Sequence, residues 1–260
     1  MYAEERRLHI LEMLKQKKRV DVSDLADRLN TSPETIRRDL REMEAESSLK
    51  RTHGGAIYVG DEKPRNETPV LHRKNVNYAA KCRIAQIAAT LIDDGDVIVI
   101  DNSTTGFCML QFIPLDFKIT LLTNSIPLVN ESLTMTGNEW TCICLGGVVN
   151  KTSFSTVGSM TETACGQFRP NKLFMSCAGI DADGSLTEGN LPDTEIKREF
   201  MARCRQKYLL ADAAKLGQPS TVVEGDITAF DCLITDAGPE NETVRSIHDK
   251  GVKILFANTL

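Results

Sequence analysis

From residue 78 onward, short apolar runs alternate with longer amphipathic stretches, and this alternation constrains the fold more than any other feature of the chain. The runs Val97–Ile100, Ile119–Leu122, Thr141–Leu145, Lys172–Cys177, Tyr208–Leu210, Cys232–Thr235 and Val252–Phe256 have the length of strands. Helical patterns at Ala79–Ile92, Thr104–Phe112, Ile126–Leu133, Gly158–Gln167, Pro192–Arg205 and Glu240–Asp249 fall between most of them. Short apolar strands alternating with helices predict a parallel sheet covered on both faces. The expectation is a doubly wound, mostly parallel α/β domain over residues 78–260.

In open α/β sheets, ligands sit outside the carboxyl ends of the strands, where loops meet helix N-termini. Polar or glycine-rich segments stand at five such ends in succession. Asp101-Asn102-Ser103-Thr104-Thr105 follows the first run, Thr123-Asn124-Ser125 the second and Gly146-Gly147 the third. Gly179-Ile180-Asp181 follows the fourth, and Asp212-Ala213-Ala214-Lys215 the fifth. Hydroxyls and backbone N–H groups at a helix start suit a phosphate. Each loop alone could equally be a helix cap or a turn; their convergence favours a ligand site. Glu195 and Lys197 lie two apart on one helix, do not face the same way, and could serve different neighbours.

The first 58 residues follow another pattern. A helix over about Glu4–Lys17 carries Leu8, Leu11 and Leu14, with Ile10 beside them, on one stripe. Ser23 can cap a second helix bearing Val22, Leu25, Ala26 and Leu29, closed by Asn30-Thr31. Ser32-Pro33 opens a third, with Ser as cap and Pro at the first helical position. There Ile36, Leu40 and Met43 point inward and leave Glu34, Thr35, Arg37, Arg38 and Arg41 on the outer faces. Leu49–Ile57 reads as two strands with a basic tip containing Arg51 and His53. A short turn between two helices, the second exposing Thr and Arg near its start, is the geometry that enters a DNA major groove. Arg pairs with guanine or holds phosphate, and the hairpin can track the backbone. The bland alternative is a solvated face on which Glu34 and Glu42 pair with Arg38. The ordered series of elements favours DNA binding, with Ser32 among the contacts.

The formal charge of −5 hides an asymmetry. Residues 1–58 carry twelve Lys/Arg against eleven Asp/Glu, and the remainder nineteen against twenty-five. The reading half is thus nearly neutral and the other acidic, so net charge does not decide the partners. The eight cysteines are scattered, with no CxxC pair and no histidine at metal-ligand spacing, so neither a metal nor a cofactor is expected. Scattered Cys and the lack of an apolar leader or span predict a cytoplasmic protein. Residues 59–77, polar with two prolines, read as a linker.

Two segments carry a family resemblance. Ser32-Pro33-Glu34-Thr35-Ile36-Arg37-Arg38-Asp39-Leu40, followed by Arg51-Thr52-His53-Gly54-Gly55-Ala56, resembles the N-terminal signature of DeoR-family bacterial transcription regulators. Gly95–Asp101 with Ser103-Thr104-Thr105, then Thr123-Asn124-Ser125, Leu145-Gly146-Gly147, Gly179-Ile180-Asp181, Glu195 with Lys197, and Asp212 with Lys215, resemble the sensor blocks of that family in order. The family more often has Gly before the two threonines, where this chain has Ser103. The resemblance implies a winged helix-turn-helix joined to a domain similar to ribose-5-phosphate isomerase. It also implies double-stranded operator DNA as one partner and a phosphorylated sugar as effector, with Ser103–Thr105 as phosphate cradle. The protein expected is a non-enzymatic repressor of sugar-catabolic genes, working as a homo-oligomer, dimer or tetramer. The rival reading is a sugar-phosphate isomerase- or deaminase-like enzyme fused to a DNA reader, with Asp101, Asp181, Glu195, Lys197 or Lys215 moving protons.

Overall fold

The computed structural model describes residues 3–45, 49–52, 54–58 and 70–258. The chain divides into two compact units, Met1–Pro64 and Arg65–Leu260.

In the first unit, α1 (Ala3–Lys17) leads into β1 (Arg19–Asp21), α2 (Val22–Arg28), α3 (Pro33–Ala45), β2 (Leu49–Arg51) and β3 (Gly55–Tyr58). The hairpin is as expected, but it gains a third strand: β3 pairs antiparallel with β1 on one side and β2 on the other. The three residues of β1 give no strand signal in the sequence because so short a strand shows no period. Ile10 and Leu14 are fully buried and half-buried Leu11 packs against the same core, so the inward face of α1 is centred on Ile10 and Leu14. Helix α2 starts at Val22, with Asp21 in the capping position; Val22 N–H is taken by the Gly54 carbonyl at 2.8 Å, and Ser23 is exposed. Asn30 adopts a left-handed φ of 45° and ends the helix. Ile36, Leu40 and Met43 of α3 close a core with Leu25, Val20 and Ala56. At Gly55, a Cβ would stand 1.9 Å from the Val20 carbonyl oxygen, so this crossing of β3 and β1 admits only glycine.

The second unit begins with α4 (Val70–Asn75) and α5 (Tyr78–Ala89). Helix α4 falls inside the stretch that the sequence reads as linker, and Val70 N–H donates to Thr152 O at 3.0 Å. Six residues with one buried valine are too few to show a helical period. Then follow β4 (Val97–Ile100), α6 (Thr104–Met109), β5 (Thr120–Thr123), α7 (Ile126–Thr134), β6 (Thr141–Cys144), β7 (Val148–Asn150), β8 (Ser155–Val157) and α8 (Ser159–Cys165). The remainder is β9 (Lys172–Met175), β10 (Gly179–Ile180), β11 (Ser185–Glu188), α9 (Leu191–Arg203), β12 (Gln206–Leu210), β13 (Val222–Asp226), β14 (Cys232–Thr235), α10 (Glu242–Asp249) and β15 (Lys253–Phe256).

Seven strands form one parallel sheet in the order β15-β14-β12-β9-β4-β5-β6. Successive side chains of a strand point to opposite faces, and both faces are buried here. Ile98 and Ile100 join Leu121, Phe174, Leu210 and Ile234 under α5 and α6. Val99 joins Leu122, Leu173, Met175, Leu209 and Leu233 on the other side, against Ile196 and Phe200 of α9. The chain runs from β4 outward to β6, then returns to β9 on the other side of β4 and proceeds to β15. The topological switch therefore lies between β4 and β9, which puts Asp101 and Ser176 at the place where such sheets bind ligands. Two small antiparallel sheets, β7-β8 and β10-β11-β13, accompany the main one. No described helix is long and apolar enough to cross a membrane.

Candidate functional site

Helix α3 is amphipathic in a way that leaves its basic side uncovered. Arg37 and Arg38 are 58% and 79% exposed in their side chains, and Arg41 is exposed. Arg37 meets Glu34 at 2.6 Å and Arg38 meets Glu42 at 3.2 Å, the first pair exposed and the second sharing half-buried Glu42 with Arg7. Ser32 Oγ accepts the Thr35 N–H at 3.2 Å and stands 2.9 Å from the Thr35 hydroxyl. Ser32 thereby organises the helix start, beside exposed Glu34 and half-buried Thr35. Asp39, the acidic member of the Arg-Arg-Asp triplet, points the other way. It is 2% exposed and receives Arg6 at 2.6 Å and Arg7 at 3.3 Å from α1. The triplet is thus split between two outward arginines and one inward anchor that fixes α3 to α1. Arg51 is exposed on β2, and His53 lies outside the described residues.

In the second unit, Asp101 ends β4 with no exposure at all. Its carboxylate accepts Ser103 N–H at 3.1 Å and Ser176 N–H at 3.0 Å, bridging the two sides of the switch point. Ser103 caps α6, its Oγ accepting Gly106 N–H at 3.0 Å. Its φ of −77° is ordinary, so glycine is not needed at that position. The backbone N–H groups of Thr104 and Thr105 fall in the first turn, where no intrahelical acceptor exists. Thr105 Oγ1 is buried without a hydrogen-bond partner among the described residues. On the neighbouring strand end, Asn124 donates to Thr156 O at 3.1 Å while its Oδ1 is likewise buried and unpartnered.

Beneath these loops lies a buried charge cluster. Lys197 donates to Ser176 O at 2.6 Å and to Glu188, with Asp101 at 3.5 Å and Glu224 at 3.7 Å. Burial alone would lower the ammonium's pKa, but Glu188, Glu224 and Asp101 hold it well above the usual range. Glu188 would be raised by burial, yet Lys197 keeps it below its ordinary value. Lys215 reaches Ser176 Oγ at 2.6 Å and Cys177 O at 2.8 Å. Lys81, buried on α5, donates to Arg73 O at 2.5 Å; burial and then the charge of Lys215 bring it down to about 8, with Asp212 opposing.

Asp101, Lys197 and Lys215 are therefore brought together around Ser176. Other predicted residues fall elsewhere. Glu195 is exposed on the outer face of α9, because Lys197 shares its buried face with Asp193 four residues earlier. Asp181 ends β10 in the small antiparallel sheet, not the fourth parallel strand, and its side chain accepts the Ala182 N–H of its own turn. Gly147 is demanded by packing: its φ is 142° and a Cβ would lie 2.1 Å from Thr161 Oγ1. Gly146 gives its carbonyl to Thr161 at 2.6 Å. Ser125 caps α7. Asp212 caps the turn Ala213–Lys215, accepts Asn77 Nδ2 at 3.0 Å, and borders an open cleft of about 480 Å³ with Arg83 and Asp236.

Sequence reasoning missed Lys81, Ser176, Glu188, Asp193 and Glu224. Lys81 was detectable: it occupies the buried stripe of α5 with Ile84, Ala85 and Ala88, where a charge is out of place. Asp193 follows the Asn190 cap and Pro192, a helix-start pattern, but three of its four side-chain donors, Asn102, Asn150 and Ser155, arrive from distant loops. Glu224 gave no signal, since on β13 it is Val223 that faces solvent and the glutamate that is buried.

Comparison with known proteins agrees with both units. The DeoR-like helix-turn-helix domain matches residues 6–62, and the DeoR C terminal sensor domain matches residues 76–237. The chain is 31% identical to the uncharacterized HTH-type transcriptional regulator YulB of Bacillus subtilis, over 98% of this chain and 96% of that one. It is 31% identical to the transcriptional repressor GlcR of the same organism, with the same coverage. The glycerol-3-phosphate regulon repressor of Escherichia coli is 29% identical over 94% of this chain and 95% of its own. Among solved structures, a ribose 5-phosphate isomerase from Methanocaldococcus jannaschii is 15% identical, with a TM-score of 0.40, covering 54% of this chain and 55% of that one.

Proposed function

The chain belongs to the DeoR family of DNA-binding transcriptional regulators, and we propose that it is a repressor of sugar-catabolic genes whose operator affinity falls when a phosphorylated sugar binds at the strand ends of the second unit. The observation that carries the effector half is the pair of buried, unpartnered polar atoms Thr105 Oγ1 and Asn124 Oδ1 at the ends of adjacent central strands. Buried polar atoms nearly always have a partner, so two orphans at adjacent strand ends, one of them beside the switch point, support a ligand that answers them. Lys81 and Lys215 supply positive charge for an anionic end, and relief of their mutual repulsion favours an anion between them. The relative named for a glycerol-3-phosphate regulon is consistent with a small phosphorylated effector. Residues Ser32, Glu34, Thr35, Arg37, Arg38, Arg41, Arg51 and His53 form the DNA-facing set. One reading helix per chain makes two copies the minimum for an operator with related half-sites.

For the ligand to relieve repression, it must bind the two states of the protein unequally. The enzyme reading is less well supported: Lys197 is fully committed to Ser176 O and to carboxylates and is held in its charged form, so it is a poor proton acceptor.

A thermal-shift screen against phosphorylated and free sugars tests the site. One sugar phosphate should raise the melting temperature, by the equivalent of ~2.7 kcal/mol at a hundredfold excess over its dissociation constant. The Ser103→Ala/Thr104→Ala variant should lose that shift, and the free sugar should give none. A shift that survives in the variant would move the phosphate away from this loop.

A further inference from the structure

The buried carboxylates of the second unit are answered very unequally. Asp193 receives Asn102 at 3.1 Å, Ser155 at 2.6 Å, Asn150 at 3.2 Å and Asn190 at 2.8 Å. Asp101 takes two backbone N–H groups, and Glu188 takes Lys197 and the Gly189 N–H. Glu224 is as deeply buried, 2% exposed, yet neither of its oxygens has a hydrogen-bond partner among the described residues. Lys197 Nζ stands 3.7 Å from Oε2, beyond hydrogen-bond reach, and is already given to Ser176 O and Glu188. A carboxyl kept in this condition costs stability in either protonation state.

We propose that Glu224 is a specificity-determining residue that reads a hydroxyl group of the ligand bound at the strand ends. The inference rests on the reading of that region as the effector site. Glu224 shares Lys197 with Asp101, which begins the Ser103–Thr105 loop, and with Ser176, which holds Lys215. Three independent buried orphans, Thr105 Oγ1, Asn124 Oδ1 and the Glu224 carboxyl, thus belong to the loops and strands around one switch point.

The chemistry of the missing partner follows from the surroundings. Burial first, then Glu188 and Asp101, push the Glu224 carboxyl up to about 8 against the pull of Lys197, so near neutral pH both forms are populated. The ionised form lacks donors and the protonated form lacks an acceptor. A hydroxyl donates and accepts and so answers either form. An ammonium only donates, and a phosphate oxygen facing Asp101 and Glu188 meets like charge. The ligand class is therefore a polyhydroxylated molecule that turns a hydroxyl toward Glu224 and its anionic end toward Thr105 and Lys215.

The test uses the full chain and titrates glucose 6-phosphate, fructose 6-phosphate, glycerol 3-phosphate, glucosamine 6-phosphate, inorganic phosphate and monodeoxy analogues of the sugar phosphates. The wild type should prefer one sugar phosphate over one of its deoxy analogues by on the order of 10-fold or more. Glu224→Leu should erase that preference, Glu224→Gln should retain part of it, and inorganic phosphate should bind all three alike. The ligand-free melting temperature of Glu224→Leu should not fall, because the carboxyl has no hydrogen bond to lose and Glu188 and Asp101 still offset Lys197. Unaltered discrimination in both variants, or a lowered melting temperature in both with discrimination intact, would reduce Glu224 to a charge partner of Lys197 and overturn the proposal while leaving the site. Failure of every sugar phosphate and of inorganic phosphate to bind the wild type would instead overturn the site itself, and this inference with it.

Discussion

Replacing Lys197 by methionine is expected to destabilise the second unit by about 3–5 kcal/mol, the cost of removing one partner from a buried ion cluster. Methionine matches the length and volume of the stem, so the loss comes from charge and hydrogen bonding and not from a cavity. Glu188 and Ser176 O lose their donor, and Asp101 and Glu224 lose the cation that offsets them. Glu188 is depressed in the native protein, so it contributes stability above its unfolded pKa that is lost as pH falls through its folded value. In the variant that contribution is absent and the stranded carboxylates favour protonation. The deficit should therefore shrink as the pH is lowered toward the carboxylate range. Denaturant unfolding at several pH values checks this. Glu195→Ala, on the exposed face of the same helix, should stay within about 0.5 kcal/mol of wild type. A Lys197→Met protein as stable as wild type at neutral pH would show that the cluster is not ionised as described.

The second large effect concerns DNA. Arg37→Ala and Arg38→Ala should each weaken binding to a duplex selected from a random pool by ~1–3 kcal/mol, roughly 5- to 150-fold. Both arginines are exposed, so unfolding should be unchanged within about 0.5 kcal/mol. An arginine that reads a base should relax the selected sequence at one position. One that holds phosphate should weaken all sequences alike and reduce the slope of log affinity against log salt by ~0.9. Wild-type affinity in both variants would remove α3 from the interface.

The large sheet was legible because its inner strands β4, β5, β9 and β14 are compact runs buried on both faces, which need no alternation to be recognised. The smaller sheets were not: β10 is Gly179-Ile180 alone, and β7 and β8 are three residues each, too short to show a period. In the first unit the inward positions of α3 read correctly, since Ile36, Leu40 and Met43 keep helical spacing. On α1 the expected Leu14 is buried and Leu11 packs against the core, while Ile10, read as lying beside the stripe, is fully buried at its centre. For the site, the loops after β4 and β5 stood out by their hydroxyls and amides. The charge cluster below them did not, because Glu188, Lys197 and Glu224 come from β11, α9 and β13 and meet only when the small sheet packs beside the large one. Glu195 came from the family resemblance; the two-residue spacing already set it on a different face from Lys197, and in the structure that face is exposed.

Coupling between the ligand site and operator binding is read from operator affinity at fixed salt, with and without each sugar phosphate, in wild type and Ser103→Ala/Thr104→Ala. One sugar phosphate should lower wild-type affinity by about 5- to 150-fold and leave the variant's affinity unchanged. Equal operator affinity in the presence and absence of every sugar phosphate, or an equal response in the variant, would contradict it.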